Sequence, residues 1–118
     1  MAMTNETKAT YTPPPWVAEQ GKLKDWFVYQ RDRFGRALAL IYVNGLDHAE
    51  VEANARLIAA APDYDKAADE LLKVHATFNN MILSHKSDAE IVAYLDRAMD
   101  HVASLTEAAI AKVRGEHR

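Results

Sequence analysis

Trp26, Arg31, Arg36, Tyr42 and Arg56 bring two flat aromatic rings and three guanidinium forks into one short stretch of chain. Aromatic rings stack on nucleobases, and arginine donates paired hydrogen bonds to phosphate oxygens. These five are therefore candidates for holding a nucleotide-type anion, Trp26 and Tyr42 by stacking and the arginines by phosphate contact. A plainer reading uses the same residues. Alternate aromatics form the buried face of a sheet, and the arginines lay their stems along its edge. Residue type alone leaves both open.

Other chemistry is scarce. The five histidines stand at 48, 75, 85, 101 and 117, with no H-E-x-x-H, no paired spacing on a helix and no cysteine to supply a thiol. Asp96 and Asp100 fall four apart with His101 adjacent, a weak metal set that a solvated acidic face explains better. His75 borders an apolar stripe and reads as a core histidine. Ser84-His85 and Ser87-Asp88 lie in a loop, Ser87 is needed as a helix cap, and no G-x-S-x-G occurs. Each of the four glycines belongs to a turn or a stop, and none builds a phosphate loop. The expectation is a protein that is not an enzyme, with no cofactor and no metal.

Two β-type runs surround the candidates. Asp25–Gln30 (DWFVYQ) and Ala37–Val43 (ALALIYV) are rich in aromatic and branched residues, and Asp32 and Gly35 supply the turn between them. A shorter strand near Trp16–Ala18 pairs with this hairpin, turning at Gln20-Gly21, and Asn44-Gly45 closes the sheet. From Asp47 onward the pattern is helical. Asp47 with Glu50 three residues later is a capping pair, and Val51, Ala55 and Ile58 recur on one face, with Leu57 beside them. Pro62 lacks a donor and clashes with the preceding turn, so it ends that helix and sits in the first turn of the next. Tyr64, Ala67, Leu71, Val74, Phe78, Met81 and Ile82 form the second stripe. Ser87 and Glu90 then make a capping box for a third helix, which carries Ile91 to Val113 and stops at Gly115.

The fold class expected is α+β: a small N-terminal antiparallel sheet of two or three strands, a short helix, and a long antiparallel helical hairpin. Residues 1–12 read as a disordered tail, followed by one domain over 13–118, with the sheet at about 16–43 and helices at about 48–61, 63–83 and 88–114. Apolar positions on more than one side of the third helix point to a homo-oligomer.

The chain has 118 residues and a net charge of −3. Lys22, Lys24, Arg31, Arg33 and Arg36 against Asp25 and Asp32 give +3 over residues 22–36, so the remainder sums to −6. That balance disfavours bulk nucleic-acid binding and leaves room for a local anion site. No apolar run approaches the roughly 20 residues a membrane span needs, and the N-terminus lacks the apolar core of a signal peptide. Cysteine is absent, which fits a reducing cytoplasm.

Ala53–Tyr64, ANARLIAAAPDY, closely resembles a segment of small bacteriophage and prophage proteins, where an A-N-A-R-L-I-A-A-A-P run follows a tryptophan and a short hairpin. The resemblance extends over about residues 14–75. It departs after the proline, where Tyr64, Asp65 and Lys66 replace the usual leucines. The run also makes sense physically. Ala53, Ala55, Ala59, Ala60 and Ala61 allow close helix–sheet approach, Leu57 and Ile58 pack, and Asn54 and Arg56 fall on different faces. Among phage proteins of this size the architecture looks like the Thoeris anti-defence sponges, which oligomerise and sequester cyclic nucleotide signals of host immunity. The resemblance implies such a ligand, a homo-oligomer and the host cytoplasm. A rival expectation is an inhibitor that docks acidic helices on a host defence protein, in the manner of an anti-CRISPR. A third is a phage accessory or structural protein whose hairpin pairs with a partner.

Overall fold

The computed structural model describes residues 11–32, 36–41 and 47–116. Three strands, β1 (Trp16–Gln20), β2 (Trp26–Gln30) and β3 (Ala37–Ile41), form an antiparallel sheet in the order β1-β2-β3. Three helices follow: α1 (His48–Ala59), α2 (Ala61–Leu83) and α3 (Asp88–Arg114). The expected α+β architecture is the one observed.

The β1–β2 turn is a three-residue loop. Gly21 N–H donates to the Asp25 carbonyl, Lys24 N–H donates to Gly21, and Lys24 takes φ 67°. That is a type I turn closed by a left-handed residue, the common way to join strands across three residues. Between Val28 and Tyr29 the β2–β3 register shifts, so that Tyr29 faces Ala37 and Leu38 is the extra residue.

Strand alternation divides the aromatics between the two sheet faces. Trp16, Ala18, Trp26, Val28, Ala39 and Ile41 turn toward α1 and pack with Ala55, Ile58 and Ala59. Phe27 and Tyr29 take the other face, their rings 5.6 Å apart. Small residues set how closely α1 approaches: Ala55, Ala59 and Ala60 are fully buried, while Ala53 and Ala61 are exposed. Leu57, expected to pack, is 55% exposed, because it falls on the side of α1 turned from the sheet.

Asp47 caps α1 through its carboxylate, which accepts from Glu50 N–H at 2.9 Å. The α1–α2 corner is Ala60, and Pro62 stands in the first turn of α2 as expected. At α3 the Ser87–Glu90 capping box is complete. The N-terminal segment is tied down from Tyr11 onward, although positions 11 and 12 read as tail. Tyr11 hydroxyl donates to Asp65 at 2.7 Å, its ring meets Trp16 edge-on, and the Trp16 indole N–H donates to the Thr12 carbonyl.

The molecule is elongated, 60 × 36 × 26 Å, with a radius of gyration of 18.8 Å. A compact chain of this length has a radius of roughly 13–14 Å. The α2–α3 hairpin accounts for the excess, since it projects from a base made of the sheet, α1 and the open end of the hairpin.

Candidate functional site

Arg56 lies where the three parts of the base meet. Its guanidinium carbon is 5.7 Å from the centre of the Trp26 ring, within cation–π range. It forms an ion pair with Glu52 one turn earlier on α1, and Nη1 donates to the Arg114 carbonyl at 3.4 Å. That carbonyl belongs to the end of α3, where Gly115 turns the chain with φ 75°. A helix C-terminus carries partial negative charge and unpaired carbonyls, so an arginine there satisfies both. An added Cβ at Gly115 would fall on the Arg56 guanidinium and push it from this position.

Around this point opens a cleft of about 680 Å³. Its walls are β1 from Pro15 to Gln20, the Trp26 ring, Arg31, then Arg56 and Ala59 of α1, and Lys112, Gly115 and Glu116 at the end of α3. Three cations and the Glu116 residue border it, while the Glu19 carboxylate is turned to Tyr29 on the other face of the sheet. Lys112 donates to Asp63 at 3.1 Å. Arg31 is exposed and forms no ion pair among the described residues.

The β1 side of the cleft has its own polarity. Arg31 N–H donates to Pro15, and Gly21 N–H to Asp25, so the odd-numbered positions of β1 bond to β2. In an antiparallel pair the alternate residues then turn their backbone groups the other way. Trp16, Ala18 and Gln20 thus present N–H and C=O at the open edge along which the cleft runs.

Glu19 accepts a 2.6 Å hydrogen bond from the Tyr29 hydroxyl. That bond, then burial and the carboxylate charge, raise the Tyr29 phenol above its ordinary value. Asp65 acts likewise on Tyr11.

Of the five candidates, Trp26, Arg31 and Arg56 are brought together. Arg36 is exposed ahead of β3 and lines no part of the cleft, and Tyr42 lies outside the described residues. Lys112 and Glu116 went unsuspected, because they stand more than fifty residues from Arg56 in sequence. One sequence signal bears on them: α3 has 27 residues to the 23 of α2. The extra turn of about 6 Å carries its end past the start of α2, toward α1. His75, expected in the core, is exposed. Asp96 and Asp100 are exposed too, and His101 Nε2 is 4.0 Å from Glu70 across the hairpin. Among the described residues no helix is long and apolar enough to cross a membrane.

Fold and site together describe a small α+β domain with a ligand-sized cleft at its base and a projecting helical hairpin. The chain belongs to the family of Salmonella phage P22 protein Y8K6, whose family model matches residues 1–117. It is thus a bacteriophage protein. No curated protein and no solved structure matches it.

Proposed function

We propose that this phage protein is a non-catalytic binding protein that takes a nucleotide-type anion in the cleft, and that its task is to sequester a cyclic nucleotide signal of host defence. One observation carries the reading: Trp26, Arg31, Arg56 and Lys112 come from four separate elements or loops and border one cleft of about 680 Å³, within the usual range for small-molecule sites. Arg56, held over the Trp26 ring by Glu52 and the end of α3, offers its own planar guanidinium for a base to stack on. Arg31 and Lys112 supply phosphate donors. Backbone groups of Trp16, Ala18 and Gln20 offer directional partners for a base edge.

The test is a thermal-shift panel of cyclic di- and trinucleotides and cyclic ADP-ribose isomers. A ligand at one hundred times its Kd adds about 2.7 kcal/mol, a shift of several degrees in a domain this small. The expected result is a shift with one ligand that Arg31→Ala with Lys112→Ala removes while the unliganded Tm holds. No shift across the panel, or one that survives both substitutions, overturns the reading.

A second reading has its own support. α2 and α3 carry nine carboxylates against five lysines and arginines, a surface suited to a basic site on a host defence protein. It requires comigration with that protein, lost at high salt.

A further inference from the structure

Of the two edge strands of the sheet, β3 carries the extra residue Leu38, a bulge of the kind that blunts an edge. β1 pairs without irregularity from Trp16 to Gln20, and its outer side runs along the cleft. There Trp16, Ala18 and Gln20 each present one N–H and one C=O. None of these groups has a hydrogen-bond partner among the described residues. Trp16 and Ala18 are half-buried, and backbone groups withdrawn from water are as a rule paired.

We propose that β1 accepts an extended peptide segment of another protein, which adds to the sheet as a further strand and carries a carboxylate side chain at its C-terminal end. The repeat along the edge selects this ligand. Outward pairs recur at every second residue, and from Trp16 to Gln20 they extend over about 14 Å. A single base edge matches one such pair, whereas a second extended backbone offers the complementary pair at each step. Strand addition does not depend on the nucleotide reading, because it engages the edge of β1 rather than the Trp26 and Arg56 surface. A strand and a nucleotide would exclude each other from the cleft.

Direction and charge follow from the same edge. Antiparallel pairing is slightly the more stable per residue, and an antiparallel strand on β1 ends beside Trp16 and Pro15. Arg31 stands at that end, since its N–H donates to the Pro15 carbonyl. Of the cations bordering the cleft, Arg56 is paired with Glu52 and Lys112 with Asp63. Arg31 forms no ion pair among the described residues. A residue directly across from Pro15 on the added strand lies two strand spacings, about 10 Å, from Arg31. A glutamate there and the arginine can close that distance over the uncharged proline. The rest of the segment is uncharged, because Glu116 borders the cleft and Glu19 stands further along β1.

The test is a capped hexapeptide, Val-Thr-Val-Thr-Val-Glu, titrated into the nitrogen-15-labelled full chain; its length reaches from Gln20 to Pro15. In the free protein the Val17 and Glu19 amides, bonded to β2, should resist hydrogen exchange while those of Trp16, Ala18 and Gln20 exchange readily. With peptide bound, these three should become protected. N-methylation of the first, third and fifth peptide residues, whose backbone groups face β1, should abolish binding, and methylation of the second and fourth should spare it. Glutamine in place of the glutamate should weaken binding about tenfold. Arg31→Ala should do the same, and the two changes together should cost no more than either alone. Because the glutamine peptide leaves the protein unaltered, it serves alone should Arg31→Ala unfold. No protection at millimolar peptide, equal binding of the glutamate and glutamine peptides, or indifference to the methylation pattern overturns the proposal. So does a free chain of twice 13.2 kDa with the three amides already protected, since a second copy would then occupy the edge.

Discussion

At the residue scale, Arg56 is explained by what it joins. It meets Glu52 within its own helix, the Trp26 ring in the sheet and the last carbonyls of α3. The ion pair is about one-third exposed and contributes little by itself. The ring contact and the helix-end contact each add about 0.5–1 kcal/mol. Arg56→Ala should therefore cost about 1–2 kcal/mol in urea denaturation, whereas Asn54→Ala, at an exposed position, should stay within about 0.5 kcal/mol. An equal loss at Asn54 would place a hidden contact there. Tyr29 gives a pH signature. Its phenol is held protonated by Glu19, so its folded-state pKa stands above the unfolded one. The stabilisation is complete below the unfolded value of about 10 and is lost as pH rises through the folded one. Stability should fall in that alkaline window. Tyr29→Phe should flatten the fall and cost about 1–2 kcal/mol at neutral pH. Sequence reached Trp26, Arg31 and Arg56 through residue type. It misplaced His75 because a stripe marks which residues share a side of a helix, not whether anything covers that side.

At the element scale, the two long helices end alike, and only one ending was legible. Glu116 N–H reaches the Ala111 carbonyl and Gly115 N–H that of Lys112; at α2, Lys86 N–H reaches Met81 and His85 N–H reaches Ile82. Both are Schellman endings, which need a left-handed residue. Gly115 announces its ending because glycine adopts that conformation freely, while His85 does so at φ 56° with a side chain that resists it. Histidine carries no such signal, and 84–90 could be read only as a break and a cap. The two ends should respond oppositely. Gly115→Ala should lose about 1–2 kcal/mol, by strain and by displacing Arg56, while His85→Gly should gain about 0.5–1 kcal/mol. Thermal denaturation of both variants decides it, and a loss at His85 would mean that its side chain holds the loop. Caps and breakers made most helix bounds readable, since Asp47, Pro62, Ser87 and Gly115 act within one turn of themselves. The cleft was not readable to that degree, because its walls meet through the returning length of α3, a tertiary fact.

At the scale of the whole molecule, the distribution of burial divides labour between base and hairpin. Val28, Val51, Ala55, Ala59, Ala60, Val102, Ala109 and Ala111 are buried in or near the base, while between residues 71 and 99 only Val74 is. The hairpin's outer turns are therefore held by helix bonding and half-buried contacts, and the base does not depend on them. Removing residues 76–82 from α2 and 90–96 from α3 takes two turns from each helix, shortens the hairpin by about 10 Å and turns each remaining face by only about 20°. Those two segments lie opposite each other, given that Glu70 meets His101 lower down. The shortened chain should still unfold cooperatively, with the near-ultraviolet signal of Trp16 and Trp26 intact, because both rings pack in the base. A shortened chain without the tryptophan signal would show that the outer turns stabilise the base, against the division that the buried residues describe.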